Sequence, residues 1–137
     1  MFIITSLNLD IQTQYMDILR DFLDSEYKAL QYGDVYSVYQ LEKSIHQTLK
    51  TIHGKRLELR EKMMGVSVSD YAGKLPHNLG ETLRRKMEIL AKIEEECLAK
   101  TARNAGLSMS LAGEEIEKSF AAAHGFYPDM AVHGMVQ

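Results

Sequence analysis

The chain has 137 residues, of which 45% are hydrophobic and 26% charged, and its formal net charge is −3. That length suits one globular domain with its own core, and the acidic balance argues against nucleic acid as a partner, because such binders usually carry a basic stripe. No apolar run approaches the roughly 18 residues that a membrane span needs, so we expect no membrane insertion. A single cysteine excludes an internal disulfide framework and fits a reduced, cytoplasmic setting.

The first predicted helix covers residues 10–32. Asp10 is a good N-cap residue, and the apolar residues after it recur at spacings of three and four, the period of an amphipathic helix. They are Ile11, Tyr15, Ile18, Leu19, Phe22, Leu23, Tyr27 and Leu30. Gly33 then suits a position just past a helix, and Asp34 can cap the next one. Residues 32–34 are therefore either a kink or a tight joint between two helices.

The second predicted helix covers residues 35–64 and has a coiled-coil-like seam. The seam consists of apolar residues spaced seven apart, namely Val38, Ile45, Ile52 and Leu59. Residues 65–78 then form a loop that can hold one short helix, because a serine can cap a helical turn over 71–74 before Pro76 stops it. A helix of the opposite direction must follow this loop.

The third predicted helix covers residues 79–123 and opens on a capping box, with Asn78 as the cap and Glu81 three residues later. A helix of more than 40 residues would be a rod of about 65 Å. Neighbours within a chain of this size cannot cover such a rod along its whole length. Its C-terminal half is therefore expected to protrude, to kink at Gly106 or Gly113, or to order only with a partner.

The seam of the third helix turns small and polar from Thr101 onward, through Asn104 and Ser108. A buried asparagine on such a seam must be paired, and it can fix the register of packed helices. Alternatively, these polar residues are not buried in the free protein, because that half of the helix awaits a partner. The sequence leaves both interpretations open.

Residues 124–137 form an apolar tail whose spacing fits no regular element. Its aromatic pair, Phe126 and Tyr127, is either a remnant without a role or the anchor of a docking peptide, since interfaces favour aromatic anchors. Residues 1–137 are thus predicted to form a single all-α domain, an antiparallel long-helix bundle or helical hairpin of three to four helices. The C-terminal helix of this domain is expected to protrude.

No catalytic, metal or cofactor site is predicted. Cys97 lies on an apolar stripe, where a small buried side chain fits. His46 and His53 share a helix face, but no Glu-x-x-His pair of the kind found in helical di-metal sites occurs. The glutamates at 94–96 and 114–117 are expected to fan around their helix and face water. The chain is therefore predicted not to be an enzyme and to need no cofactor.

Residues 19–34, which read LRDFLDSEYKALQYGD, carry the pattern LxxxLxxExxALxxGD. A long helix with Leu41, Lys43, Leu49, Arg56 and Arg60 follows, and a later helix contains Arg103, Asn104, Leu107 and Leu111. Over roughly residues 10–120, this layout resembles FlgN-type flagellar export chaperones.

The resemblance implies a cytosolic, mostly monomeric chaperone for the hook–filament junction proteins. Such a chaperone holds the C-terminal helical segment of its client and delivers it to the flagellar type III export gate. The resemblance places the client contacts on the late helix, at Asn104, Leu107, Leu111, Ile116 and Phe120. Family members also use a tyrosine near the C-terminus at the gate, and Tyr127 is the candidate here.

Two other kinds of protein fit the same sequence. A self-associating coiled-coil structural or scaffold protein would dimerise through the heptad seams of the second and third helices. An all-helical enzyme would need buried charges that converge inside the bundle, whereas Lys43, Lys50, Arg56 and Arg60 of the second helix lie mostly off its apolar stripe. A cleft lined by several of them would favour the enzyme.

Overall fold

The computed structural model describes residues 1–111, with side chains as far as residue 108. This part of the chain contains no strand, and its four helices are α1 (Phe2–Gln31), α2 (Val35–Lys62), α3 (Val68–Gly73) and α4 (His77–Leu111). The predicted all-α fold is therefore confirmed.

The first helix begins eight residues before the expected start at Asp10. The additional two turns are held by the bundle, because Asn8 donates a hydrogen bond of 3.0 Å to the backbone carbonyl of Lys55 on α2. Asp10 is not a cap, since its carboxylate accepts a hydrogen bond of 2.8 Å from the ammonium of Lys86 on α4. The predicted start at Asp10 is wrong, because a residue that suits an N-cap does not begin a helix when the turn before it already packs against the bundle.

Residues 32–34 form a tight joint rather than a kink. Gly33 adopts a φ of +68°, which favours glycine. The N–H of Asp34 donates to the carbonyl of Ala29 at 2.9 Å, and the N–H of Gly33 donates to that of Leu30 at 3.2 Å. These two bonds close α1 as a Schellman motif. The Asp34 side chain then caps α2 by accepting hydrogen bonds from the N–H and hydroxyl of Ser37 at 3.1 and 2.6 Å.

The long helices run up, down and up, with α1 packed against both α2 and α4. Two ion pairs, Lys86 with Asp10 and Lys100 with Asp24, join residues that are 76 positions apart in the sequence. A constant separation means that α1 and α4 are parallel. Since α1 and α2 are joined tightly and pack together, α4 runs opposite to α2, as predicted.

The core lies where α1 meets its two neighbours. The predicted α2 seam, Val38, Ile45, Ile52 and Leu59, is buried in full, and the α4 stripe contributes Leu83, Leu90, Ile93 and Cys97. The second helix ends at Lys62, two residues before its predicted end. The seams that could have joined two copies are therefore used within one chain.

The loop after α2 holds the short helix α3, which begins at Val68, three residues before the expected turn. Ser67 caps it by accepting a hydrogen bond of 3.0 Å from the N–H of Asp70. This helix packs against the start of α4 so closely that a β-carbon on Gly80 would lie 2.4 Å from the carbonyl oxygen of Ala72. A glycine is therefore required at position 80.

The expected capping box at Asn78 and Glu81 is wrong. The last helix begins at His77, and the carbonyl of Pro76 accepts hydrogen bonds of 3.0 Å from the N–H groups of Leu79 and Gly80. The contact of α3 with Gly80 determines where α4 starts, so Asn78 already lies inside the helix. The predicted end of this helix at residue 123 and the tail at 124–137 lie outside the described residues.

Candidate functional site

Among the contact residues predicted from the sequence, Asn104 is inaccessible to a partner in this conformation. Its side chain is fully buried. The amide nitrogen donates to the carbonyl of Leu23 at 2.8 Å and to the Oε1 of Glu26 at 2.9 Å, and the amide oxygen accepts from Arg103 at 3.0 Å. Asn104 therefore joins α4 to α1 and does not serve as a client contact in this conformation.

Glu26 is also fully buried, and it is the glutamate of the LxxExxALxxGD pattern. Burial raises the pKa of its carboxyl to about 8, and the charge of Glu42 adds to this; the hydrogen bond from Asn104 and the charge of Arg103 act against it. The carboxyl is thus neutral at pH 7. Its Oε2 has no hydrogen-bond partner in the part of the chain that the structure describes, which a neutral acid tolerates far better than a carboxylate.

Charged groups around Asn104 and Glu26 bind residues 100–104 of α4 to α1. The guanidinium of Arg103 stacks on the ring of Tyr27, 3.9 Å from its centroid, and lies 3.4 Å from the carboxylate of Asp24. Lys100 donates to Asp24 at 2.6 Å, and this hydrogen bond lowers the pKa of that carboxyl. Residues 100–104 therefore belong to the bundle.

The polar seam of α4 is buried as far as it is described. Thr101 and Ser108 lie within the bundle beside Asn104, and their hydroxyls donate to the carbonyls of Cys97 and Ala105 at 2.8 and 2.9 Å. Of the two interpretations that the sequence leaves open, burial is the one found as far as Ser108, because each of these polar groups has a partner inside the fold.

The remaining predicted contact residues lie at or beyond the described end of α4. Leu107 is half-buried against the cluster formed by Ala29, Leu30 and Val38. Leu111 is the last described residue, its side chain undescribed. Ile116, Phe120 and Tyr127 lie outside the described residues. Leu107 is therefore the only one of these residues whose side chain the structure describes.

A groove that the sequence did not reveal lies between the C-terminal half of α2, the loop before α3, and α4. Its volume is about 540 Å³. We call it the α2–α4 groove, and its apolar lining consists of Leu59, Met63, Val66, Val68, Met87 and Leu90. It joins residues far apart in the sequence, so no local pattern could have predicted it.

The floor of the α2–α4 groove is a buried polar network. Arg56 donates to the amide oxygen of Gln12 at 3.2 Å and to the carboxylate of Glu94 at 3.4 Å. The Arg56 and Glu94 side chains are each only 9% exposed. Gln12 in turn donates to Asn8 at 2.7 Å. This network connects α1, α2 and α4, and it leaves no net charge between the arginine and the glutamate.

One sequence signal could have indicated the network. Asn8 and Gln12 continue the buried stripe of Met16 and Leu19 towards the N-terminus at helical spacing, so polar side chains stand at core positions of α1. The expectation that the glutamates at 94–96 face water is wrong for Glu94. Its side chain is buried because it pairs with Arg56 of α2, whereas Glu95 is exposed.

Two of the four basic residues of α2 that an all-helical enzyme could use share the α2–α4 groove with Glu94. Arg56 and Arg60 line the α2–α4 groove, whereas Lys43 and Lys50 line a separate shallow pocket on α2. Cys97 is 1% exposed, as predicted, and burial raises the pKa of its thiol to about 12. Among residues 1–111, no group of three histidine, cysteine or carboxylate side chains could hold a metal ion.

No helix within the described residues is long and apolar enough to cross a membrane. No protein-family model, no curated protein and no solved structure matches this chain.

Proposed function

We propose that this chain is a FlgN-type chaperone. It binds the C-terminal helical segment of a flagellar hook–filament junction protein in the cytoplasm and brings it to the type III export apparatus. The resemblance of residues 10–120 supplies the identity of the client, and the α2–α4 groove is the observation that supports polypeptide binding. The function is binding rather than catalysis, and it requires no cofactor.

The α2–α4 groove has the properties of a helix-binding site. An amphipathic helix binds by placing apolar side chains at i, i+3, i+4 and i+7 into an apolar groove. Two of the lining residues, Met63 and Met87, have flexible and polarizable side chains that adapt to differently shaped partners. Such a lining suits a chaperone that serves more than one client, because methionine-rich surfaces can repack around each of them.

The polar floor of the groove suits a client that must later be released. Arg56 and Glu94 neutralise each other at 3.4 Å, so an apolar side chain that enters the groove meets no uncompensated charge. Affinity then comes from the apolar walls. The proposal moves the main contact from Asn104 to this groove, while Leu107, Leu111, Ile116 and Phe120 remain predicted additional contacts and Tyr127 remains the predicted gate contact.

The alternative, a self-associating coiled-coil scaffold, is less favoured. Its dimer would use the seam Val38, Ile45, Ile52 and Leu59, which is buried against α1 in the single chain. Exposing that seam would open the core. The chaperone proposal instead expects a monomer before client binding, which sedimentation velocity measures directly.

The test is calorimetric titration with synthetic peptides of the C-terminal helical segments of the organism's own junction proteins. Met87→Glu introduces a charge into the groove wall, and Val66→Glu does so at a 40% exposed loop position. Excluding one apolar anchor removes about 1.5–3 kcal/mol, so we expect each variant to bind at least about tenfold more weakly.

Ile89→Glu is the matched control, since Ile89 is 54% exposed on α4 and does not line the groove. Its affinity should equal that of the wild type. Tight binding by both groove variants would place the client elsewhere, and the absence of binding to any junction-protein peptide would contradict the proposed client.

A further inference from the structure

At the end of the bundle away from the α2–α4 groove, α2 presents an exposed face of aromatic and basic side chains. Tyr36, Tyr39, Lys43 and Lys50 share one side of the helix, because their positions fall at helical spacing. Tyr36 is 69% exposed and Tyr39 is 59% exposed. The ammonium of Lys43 lies 4.6 Å from the centroid of the Tyr39 ring. We call this surface the tyrosine–lysine face.

The face is built to take an apolar and acidic ligand. Two neighbouring rings that stand this far out of the fold form an apolar patch, and such patches mark interaction sites. The two lysines extend along the same side of α2, beside a shallow pocket that Tyr39, Glu42 and His46 also line. A partner that carries apolar side chains and a carboxylate on the same side would match both parts of the surface.

The described chain ends next to this face. Because α4 is parallel to α1, with partners 76 positions apart at Lys100 and 78 apart at Asn104, Leu111 lies level with the joint at residues 32–34. The same joint is the start of α2, and Leu107 already packs in a cluster with Val38 of α2. Leu111, the last described residue, therefore lies at the level of the N-terminal end of α2, where Tyr36 stands.

The sequence that follows has the matching chemistry. Ile116 and Phe120 are four positions apart, which is the spacing of one helix face, and Glu117 lies between them. Glu114 and Glu115 precede them, and with Lys118 the segment carries three carboxylates and one ammonium. The three steps from Leu111 to Glu114 span up to about 10 Å when extended, and a helix from Glu114 to Phe120 adds about 9 Å, so Phe120 can lie up to about 19 Å from Leu111. That reach exceeds the 10–12 Å diameter of a helix, so either side of α2 is accessible.

We propose that residues 114–120 bind the tyrosine–lysine face of the same molecule, with Ile116 and Phe120 covering the two tyrosine rings and Glu117 facing Lys43. The contact is intramolecular and is proposed for the client-free chain, since Ile116 and Phe120 are also predicted client contacts, and its test requires no client. The apolar side chains supply most of its affinity, and the charges select its orientation, since exposed ion pairs contribute little by themselves.

Cysteine cross-linking in the full-length chain tests this contact. Gln40 is exposed beside the face and Ser119 adjoins Phe120, so Gln40→Cys with Ser119→Cys forms the test pair. The native Cys97 is 1% exposed and stays unreactive in the folded protein. A bismaleimide with a spacer of about 8 Å should link the test pair within monomers. The control pair, Glu88→Cys with Ser119→Cys, lies towards the other end of α4 and should give at least fivefold less product.

Substitutions within the test pair show whether the contact is the one proposed. Phe120→Asp should lower the yield at least fivefold, whereas Met130→Asp, outside the segment, should leave it unchanged. Lys43→Glu should lower the yield, and adding Glu117→Lys should restore it. A yield equal to that of the control pair, a yield indifferent to Phe120→Asp, or cross-links only between two molecules would each overturn the proposal. The last outcome would assign the face to a second copy.

Discussion

The buried carboxyl of Glu26 should make the stability of this protein fall as the pH rises through the neutral range. The pKa of this group is about 8 in the folded chain and close to 4.5 when the chain is unfolded. Between these two values, the folded state holds one proton more than the unfolded state. The contribution of the Glu26 carboxyl to the free energy of unfolding is therefore complete below pH 4.5 and is lost progressively as the pH rises towards 8.

The magnitude follows from the size of that window. Each pH unit inside it lowers the free energy of unfolding by about 1.4 kcal/mol. From pH 5 to pH 8 the loss is on the order of 4 kcal/mol, a large share of the roughly 5–15 kcal/mol that stabilises a typical domain. The raised pKa of the buried Cys97 thiol also lowers the free energy of unfolding as the pH rises, but only above the ordinary pKa of 9.0. The lowered pKa of Asp24 changes the stability only below the ordinary pKa of 3.8.

Glu26→Gln separates this effect from all others. Glutamine keeps the oxygen that accepts from Asn104 at 2.9 Å but carries no titrating proton. Urea denaturation of this variant at pH 5, 6, 7 and 8 should give a nearly constant free energy of unfolding, and the variant should exceed the wild type at pH 8. Glu88→Gln, at an exposed position on α4, should follow the wild-type curve. If the wild type is as insensitive to pH as Glu26→Gln, then Glu26 is not held neutral and the reasoning fails.

Two further substitutions, each with a matched control, test the packing that positions the groove. Gly80→Ala should destabilise by about 1–3 kcal/mol, because its β-carbon would lie 2.4 Å from the Ala72 carbonyl; Gly54→Ala, with nothing within 4 Å, should stabilise by about 0.5–1 kcal/mol. Equal effects in thermal unfolding would contradict the close contact of α3 with α4. Arg56→Ala should cost about 3–5 kcal/mol in urea denaturation, because it leaves the buried Glu94 carboxylate without its charge partner. The exposed neighbour Arg60→Ala should change stability by less than about 0.5 kcal/mol, and a similar small loss in Arg56→Ala would mean that the ion pair is not buried.

The features that the sequence predicted well are those encoded locally. The sequence placed an interruption at residues 32–34, with a glycine that takes a positive φ and an aspartate that caps the next helix, and left open whether it is a kink or a joint. The α2 seam follows from a seven-residue spacing, and the burial of Cys97 follows from its place on an apolar stripe. Each of these needs information from only one helix.

The features that the sequence did not reveal depend on contacts between distant segments. The polar seam of α4 could be read as buried or exposed until Asn104 was seen to bond with Glu26, 78 positions away. The start of α1 was misplaced because Asn8 is held by Lys55 of another helix. The α2–α4 groove is formed by three segments, and Arg56 and Glu94 become its floor only when α2 and α4 lie side by side.

Hydrogen exchange of the full-length chain, with and without the client peptide, tests the central claim most directly. If the α2–α4 groove binds a helical segment of a junction protein, amides in residues 59–69 and 87–94 should exchange more slowly in the complex. Exchange at residues 18–26, which lie away from the groove, should change little. Slower exchange confined to other parts of the chain, with residues 59–69 and 87–94 unaffected, would contradict the claim that this groove is the binding site.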